Sequence, residues 1–363
     1  MTSGATRSFG KVTIVSLFTI AVLIVVASYF LVLLMGYRFI FFTPPGVTVS
    51  LRSLDFPVFL LFNLIGFSVP ANAGAVFTFT WLVFVLCFVA AWKWRESFHI
   101  VARKSFSRPL RSVFNNFLFV MPLLSSMLLV AATVIVYLQN FAGIPTGEVV
   151  PGPGEPMQEF FLSLAFRPIT EELGFRLVPI GLFTAIYVLS AKKKAPVNNV
   201  KLFVTSFLYP EGAKRIVGLP NVTDKGFWRG ISRGEWAMVL IASSLFALAH
   251  VGGGWEIGKI SSVLVQALFF AVTYIGYGFG APILLHWFFN YYLFFFNPDI
   301  LSAWFPSVEP ILAIAEWLLI LLGAVGWVVF AVTAVRRRLK QMKMKQAVPV
   351  ESVPPAEPAT LPL

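Results

Sequence analysis

Apolar runs separated by short polar, basic or proline-broken stretches recur along the whole chain, and most of them are close to the length that a hydrocarbon core of roughly 30 Å requires. The first runs from about Val12 to Met35. It is too long for a signal-peptide core and lacks a small-residue cleavage site, so it predicts a retained membrane helix. Further spans are expected at about Ala75–Trp92, Phe117–Leu138, Ile169–Leu189, Trp236–His250, Ile260–Tyr277, Pro282–Phe296 and Ile311–Val335. The pattern therefore predicts an all-α, polytopic membrane protein of about eight transmembrane helices.

Between these runs, Arg38 to Pro70 is interrupted by Pro44-Pro45-Gly46, Pro57 and Pro70. Its apolar piece Val58–Phe67 is too short to span, and an interfacial or re-entrant segment is expected. The stretch from Glu155 to Arg167 mixes Phe160, Phe161, Leu164 and Phe166 with Gln158 and Glu159. It reads as an interfacial helix leading into the fourth span through Pro168, or as a solvated loop with incidental aromatics. Leu202 to Val217 carries the same two alternatives. The organisation expected is an N-terminal group of about three membrane helices (1–150), a helical core (151–300), a last span with a basic tail (301–345) and a disordered Pro-, Ala- and Glu-rich end (346–363).

Composition agrees with the pattern: 58% of the 363 residues are hydrophobic, 12% are charged and the mean hydropathy is +0.83. The net charge of +12 does not point to nucleic acid, because the basic residues sit in blocks between apolar runs. One block holds Lys93, Arg95, Arg103, Lys104, Arg108 and Arg111. A second holds Lys192, Lys193, Lys194, Lys201, Lys214, Arg215, Lys225, Arg229 and Arg233, and the tail adds Arg336, Arg337, Arg338 and Lys340. Alternate loops are poor in Lys and Arg, so the blocks and both termini are expected on the cytoplasmic side. Cys87 is the only cysteine, which excludes an internal disulfide or a cysteine metal site.

Against so apolar a background, a few polar side chains stand out. Thr170-Glu171-Glu172-Leu173-Gly174-Phe175-Arg176 puts three ionisable groups inside an apolar segment. Each costs about 2.5–3.5 kcal/mol at the centre of a bilayer on insertion scales, so the run needs partners or a wet cavity. Glu172 and Arg176 are four apart and suit an ion pair, which leaves Glu171 on another face for chemistry. Equally, two acidic residues after Pro168 and Thr170 suit the first turn of a helix, where they merely offset its dipole. Two of the three histidines, His250 and His286, also fall in apolar runs. Phe246-Ala-Leu-Ala-His250 stacks an aromatic and an imidazole, and His286-Trp-Phe-Phe-Asn290 stacks an imidazole and an amide. Taken singly, each is compatible with a packed core residue or a helix–helix contact. His99, in the first basic block, reads as a surface residue.

Together, and in this order, Glu171-Glu172-x-x-x-Arg176, Phe246-x-x-x-His250 and His286-x-x-x-Asn290 resemble the CPBP family of intramembrane endopeptidases, which contains the type II CAAX prenyl proteases and bacteriocin-processing enzymes. The lead-in Arg167-Pro-Ile-Thr-Glu is similar as well, and the likeness covers about Pro168 to Asn290. One departure is Leu177, where many members carry Gly after the motif arginine. The resemblance implies hydrolysis of a peptide bond in a membrane-associated, prenylated or leader-peptide substrate. In that reading Glu171 is the general base, assisted by His250; His286 and Asn290 stabilise the oxyanion, and Glu172 with Arg176 fixes the site. A zinc form uses Glu171, His250 and His286 as ligands with Glu172 as base, and both forms stay open at this point. Other readings are an ion- or proton-coupled transporter and an inactive scaffold or immunity protein. No inverted repeat favours the transporter.

Overall fold

The structure is a computed structural model and describes residues 2–106, 115–147, 150–192 and 197–346. Arg108, Arg111, Lys193, Lys194 and the tail from 347 onward lie outside the described residues. The elements run in order α1 (Thr2–Phe41), α2 (Pro44–Ser50), β1 (Ser53–Leu60), β2 (Ile65–Asn72), α3 (Ala73–Lys93), α4 (Phe98–Ser105) and α5 (Phe117–Phe141). After these come α6 (Met157–Glu172), a π turn (Leu173–Leu177), α7 (Val178–Ala191), α8 (Asn199–Leu208), α9 (Pro210–Ile216), α10 (Val222–Gly230), α11 (Arg233–Gly252) and α12 (Lys259–Tyr277). The chain ends with α13 (Gly280–Trp287), a second π turn (Phe288–Tyr292), a 3₁₀ turn (Leu293–Phe296), α14 (Pro298–Trp304) and α15 (Glu309–Gln346).

The protein is an all-α polytopic membrane protein. Among the described residues, seven helices are long and apolar enough to cross a bilayer. The eighth expected span is present as α13, the second π turn and the 3₁₀ turn, in pieces of eight, five and four residues. These follow one another without a break but are shorter and less regular than the other spans.

One expectation is corrected and another takes a definite form. The fourth span does not begin at Ile169: Met157–Ala191 is one helical run of 35 residues, so Glu155–Arg167 is largely its first half and not a separate interfacial helix. Pro168 is tolerated inside α6. Glu171 and Glu172 therefore lie far beyond the first turn, about 20 Å along the axis from Met157 at 1.5 Å per residue, which removes the dipole-offsetting explanation. The broken region after α1 is a β-hairpin, with Ser53 opposite Asn72 and Leu60 opposite Ile65. Leu61, Phe62 and Asn63 at its tip all adopt positive φ, a costly conformation that the packing described below sustains.

The main core draws on α1, α3, α5, α6 and α13 together, with Tyr29, Phe84, Phe88, Phe161, Trp287 and Tyr291 among its buried aromatics. Gly36 lets α1 close on the segment that carries Asn290. A Cβ there would meet the Tyr291 hydroxyl at 1.8 Å, and that hydroxyl donates to the Leu33 carbonyl at 3.0 Å. On the basic side, α8 and α9 are helices packed beneath α7 and not a solvated loop. Lys214 on α9 is buried against Glu235 at 2.9 Å, and Glu235 also completes the capping box that starts α11.

Candidate active site

The site forms where the α6–α7 run, α11 and the α13 run meet, and the π turns of the first and last of these fall there. In the first, Val178 N–H bonds to the carbonyl of Leu173, five residues back. Pro179 follows directly, and a proline ring in a regular helix collides with the carbonyl four residues earlier, so a widened turn is the local way to keep the run continuous. In the second, Leu293 N–H bonds to the carbonyl of Phe288. Single π turns of this kind often sit at functional sites, and these two carry Arg176 and Asn290.

Glu172 is the centre of the buried part. Its Oε1 accepts from Arg176 Nη1 at 3.1 Å and lies 2.9 Å from His286 Nδ1, and neither Glu172 nor Arg176 is exposed at all. The guanidinium lies over the Phe246 ring, 4.1 Å from its centroid, and 5.5 Å from that of Phe270. Phe270 also stacks on the His286 ring at 5.4 Å. A buried charge pair is tolerated when its partners are fixed, and here one carboxylate oxygen serves two donors between aromatic faces. Asn290 Nδ2 lies 3.2 Å from His286 Nε2, so both ring nitrogens have protein partners.

Glu171 differs from its neighbour. Successive helical residues point about 100° apart, so Glu171 turns toward a cavity while Glu172 turns inward. Its Oε2 is 3.6 Å from His286 Nε2 and makes no hydrogen bond. The cavity encloses about 550 Å³, and its lining includes Glu171, His250, Thr170, Phe175, Arg167 and Trp255. His250 closes α11: its Nδ1 is 2.9 Å from the Phe246 carbonyl, which can only accept, so Nδ1 carries the proton and Nε2 is the ring's free nitrogen. Phe246 thus touches both histidines, at 4.7 Å from the His250 centroid and 5.9 Å from that of His286.

All six residues singled out in the sequence, Glu171, Glu172, Arg176, His250, His286 and Asn290, gather around this point. Glu171 and His250 face the cavity, and the other four stand behind Glu171. The zinc set is not assembled. Among the described residues no three His, Cys, Asp or Glu side chains are arranged to hold a metal ion, and His286 spends both nitrogens on Glu172 and Asn290. A contribution missed in the sequence comes from the hairpin, because Leu54, Asp55, Phe56, Pro57, Phe59 and Asn63 form one wall of the cavity. Gly174 is what admits it. A Cβ there would stand 2.7 Å from the Phe59 carbonyl, and Phe62 N–H donates to the Gly174 carbonyl at 3.1 Å. Gly174 thus clears space for the hairpin.

The cavity lies toward the ends of α3, the α6–α7 run and α11 that are opposite to the basic blocks. The hairpin precedes Ala73, Glu155 and Glu159 flank the start of α6, and Gly252–Trp255 ends α11, whereas Lys93, Lys192 and Arg233 mark the other ends.

Comparison with known families agrees with the resemblance seen in the motifs: a family model described as type II CAAX prenyl endopeptidase Rce1-like matches residues 153–292. That stretch runs from just before α6 to the end of the second π turn and contains all six site residues. Comparison with curated proteins and with solved structures gives no match.

Proposed function

We propose that the protein is an intramembrane endopeptidase that hydrolyses a peptide bond in a membrane-associated peptide, with prenylated and leader-type peptides as the substrate classes. The observation that carries the proposal is the unequal treatment of two adjacent carboxylates. One is locked into a buried Arg–Glu–His array, and the other lies against the same imidazole with an oxygen that has no hydrogen-bond partner, on a residue that lines the cavity within the helical bundle. The family match over the site-bearing residues supports the same reaction.

In this mechanism Glu171 takes a proton from the attacking water, and the water oxygen bonds to the scissile carbonyl carbon. His250, through Nε2, assists proton movement between that water and the departing amine. Asn290 stabilises the oxyanion once the substrate carbonyl takes the place of the Asn290–His286 contact, which turns the amide N–H toward the developing charge; His286, whose Nε2 accepts from Asn290 in the resting site, joins it as a donor when that nitrogen is protonated. Glu172 and Arg176 are positioning residues: they hold His286 and keep the two runs in register. No step is routed through a metal, because the donor set for one is not assembled.

Purified protein in proteoliposomes, given internally quenched peptides with and without a C-terminal prenyl group, tests the proposal. Cleavage at a single bond, identified by mass spectrometry and lost in His250→Ala, is expected. Intact peptide after prolonged incubation with folded wild-type protein would contradict it.

A further inference from the structure

The hairpin wall of the cavity has a free strand edge, and its direction can be read from the ladder. Ala73 N–H donates to the Arg52 carbonyl at 2.9 Å, one step beyond the Ser53–Asn72 pair. Bonded and non-bonded pairs alternate in an antiparallel ladder, so the even-numbered residues of β1 bond to β2. Ser53, Asp55, Pro57 and Phe59 then point their backbone groups the other way. The prolines agree: Pro57 lies opposite Ser68 and Pro70 opposite Asp55, both in the class of pairs where a missing N–H costs no ladder bond. Among the described residues the sheet has only two strands, so no strand covers this edge. It is not turned to open solvent either. Leu54 to Pro57 and Phe59 line the cavity shared with Glu171 and His250, and the Phe59 end is pressed onto Gly174, three residues from Glu171.

We propose that the substrate binds in extended form as a third strand on the free edge of β1, which leads its backbone to Glu171. The inference rests on the endopeptidase reading and adds the mode of recognition. Proteolysis needs an extended backbone whose carbonyl is held still, and main-chain pairing to a fixed edge supplies both without demanding a sequence. The donors are the N–H groups of Ser53 and Asp55, and the acceptors are the carbonyls of Ser53, Asp55 and Pro57. Pro57 offers no N–H, so one substrate carbonyl near the active end is left unpaired and available to other donors. Charge narrows the occupant further. Glu159 is paired with Arg52 at 2.9 Å, which leaves Asp55, Glu155 and Glu171 lining the cavity against Arg167, in a chain whose net charge is +12, so the strand that fits carries a basic side chain.

The test uses full-length protein in proteoliposomes and one prenylated, internally quenched peptide that it cleaves, N-methylated at one amide at a time outside the scissile bond. Strand addition directs every second substrate residue at β1, and one such hydrogen bond is worth about 1 kcal/mol, or roughly five- to tenfold. The expected profile of kcat/KM is therefore a loss of that size at alternate positions with little change between them. A flat profile, or losses without the two-residue period, overturns the proposal. Asp55→Pro against Asp55→Ala gives a second reading, since only the first removes the edge N–H: a further several-fold rise in KM for Asp55→Pro is expected, and equal KM values count against the proposal. Should Asp55→Pro not fold, the N-methyl profile decides alone. A flat profile with turnover still dependent on Glu171 removes strand docking only, whereas turnover unaffected by Glu171→Gln removes the endopeptidase mechanism itself.

Discussion

Glu171 and Glu172 are neighbours in sequence with opposite surroundings, and substitution separates their roles. Glu172→Gln leaves Arg176 buried between Phe246 and Phe270 without a counter-ion, and breaking a buried pair commonly costs about 3–5 kcal/mol. A large fall in thermal stability together with lost activity is expected, read by melting in detergent; wild-type stability would show that the pair does not hold the site. Asn290→Ala removes the amide that meets His286 Nε2 and should lower kcat by about 10²–10³ with KM little changed, as for loss of an oxyanion donor. A rise in KM alone would assign Asn290 to binding. The Glu172–Arg176 pair was legible because helical spacing four apart fixes which side chains meet. The stacking of Phe270 on His286 was not, because nothing in a helical pattern says which of many aromatic faces in an apolar run will turn to a particular ring on another helix.

At the scale of elements, most spans were legible from length and hydropathy, and two features were not. The continuity of Met157–Ala191 was hidden by Pro168 and by the polar residues of its first half, which face the cavity and hairpin rather than water. The hairpin was hidden because Val58–Phe67 is apolar apart from Asn63 and Gly66 and shows no alternation, although Pro57 and Pro70 were legible as breaks. Its docking makes a specific prediction. Gly174→Ala places a Cβ within 2.7 Å of the Phe59 carbonyl, so the tip must lift from the π turn. Overpacking of this kind typically costs about 1–3 kcal/mol. Faster proteolytic nicking near Leu61–Asn63 and reduced turnover are expected in this variant. Unchanged nicking and activity would mean that the hairpin is not needed at the site.

For the whole molecule, seven long spans, the shorter α13 run and the basic blocks define one arrangement: the blocks on one side, the cavity and hairpin toward the other. We propose that the basic side is cytoplasmic. Single cysteines at Lys201 and Leu64 in a Cys87→Ser background should react with an impermeant reagent from opposite sides, and labelling from the same side would overturn the topology. Exhaustive chelation should leave turnover unchanged, since His286 is committed to Glu172 and Asn290; loss restored by stoichiometric zinc would contradict that assignment. The central claim is that Glu171 activates the water, and the measurement closest to it is single-turnover cleavage of one verified peptide by Glu171→Gln. The substitution keeps shape and removes the proton acceptor, so the account predicts a folded protein with wild-type melting and no detectable cleavage. Cleavage by Glu171→Gln at the wild-type rate would contradict it.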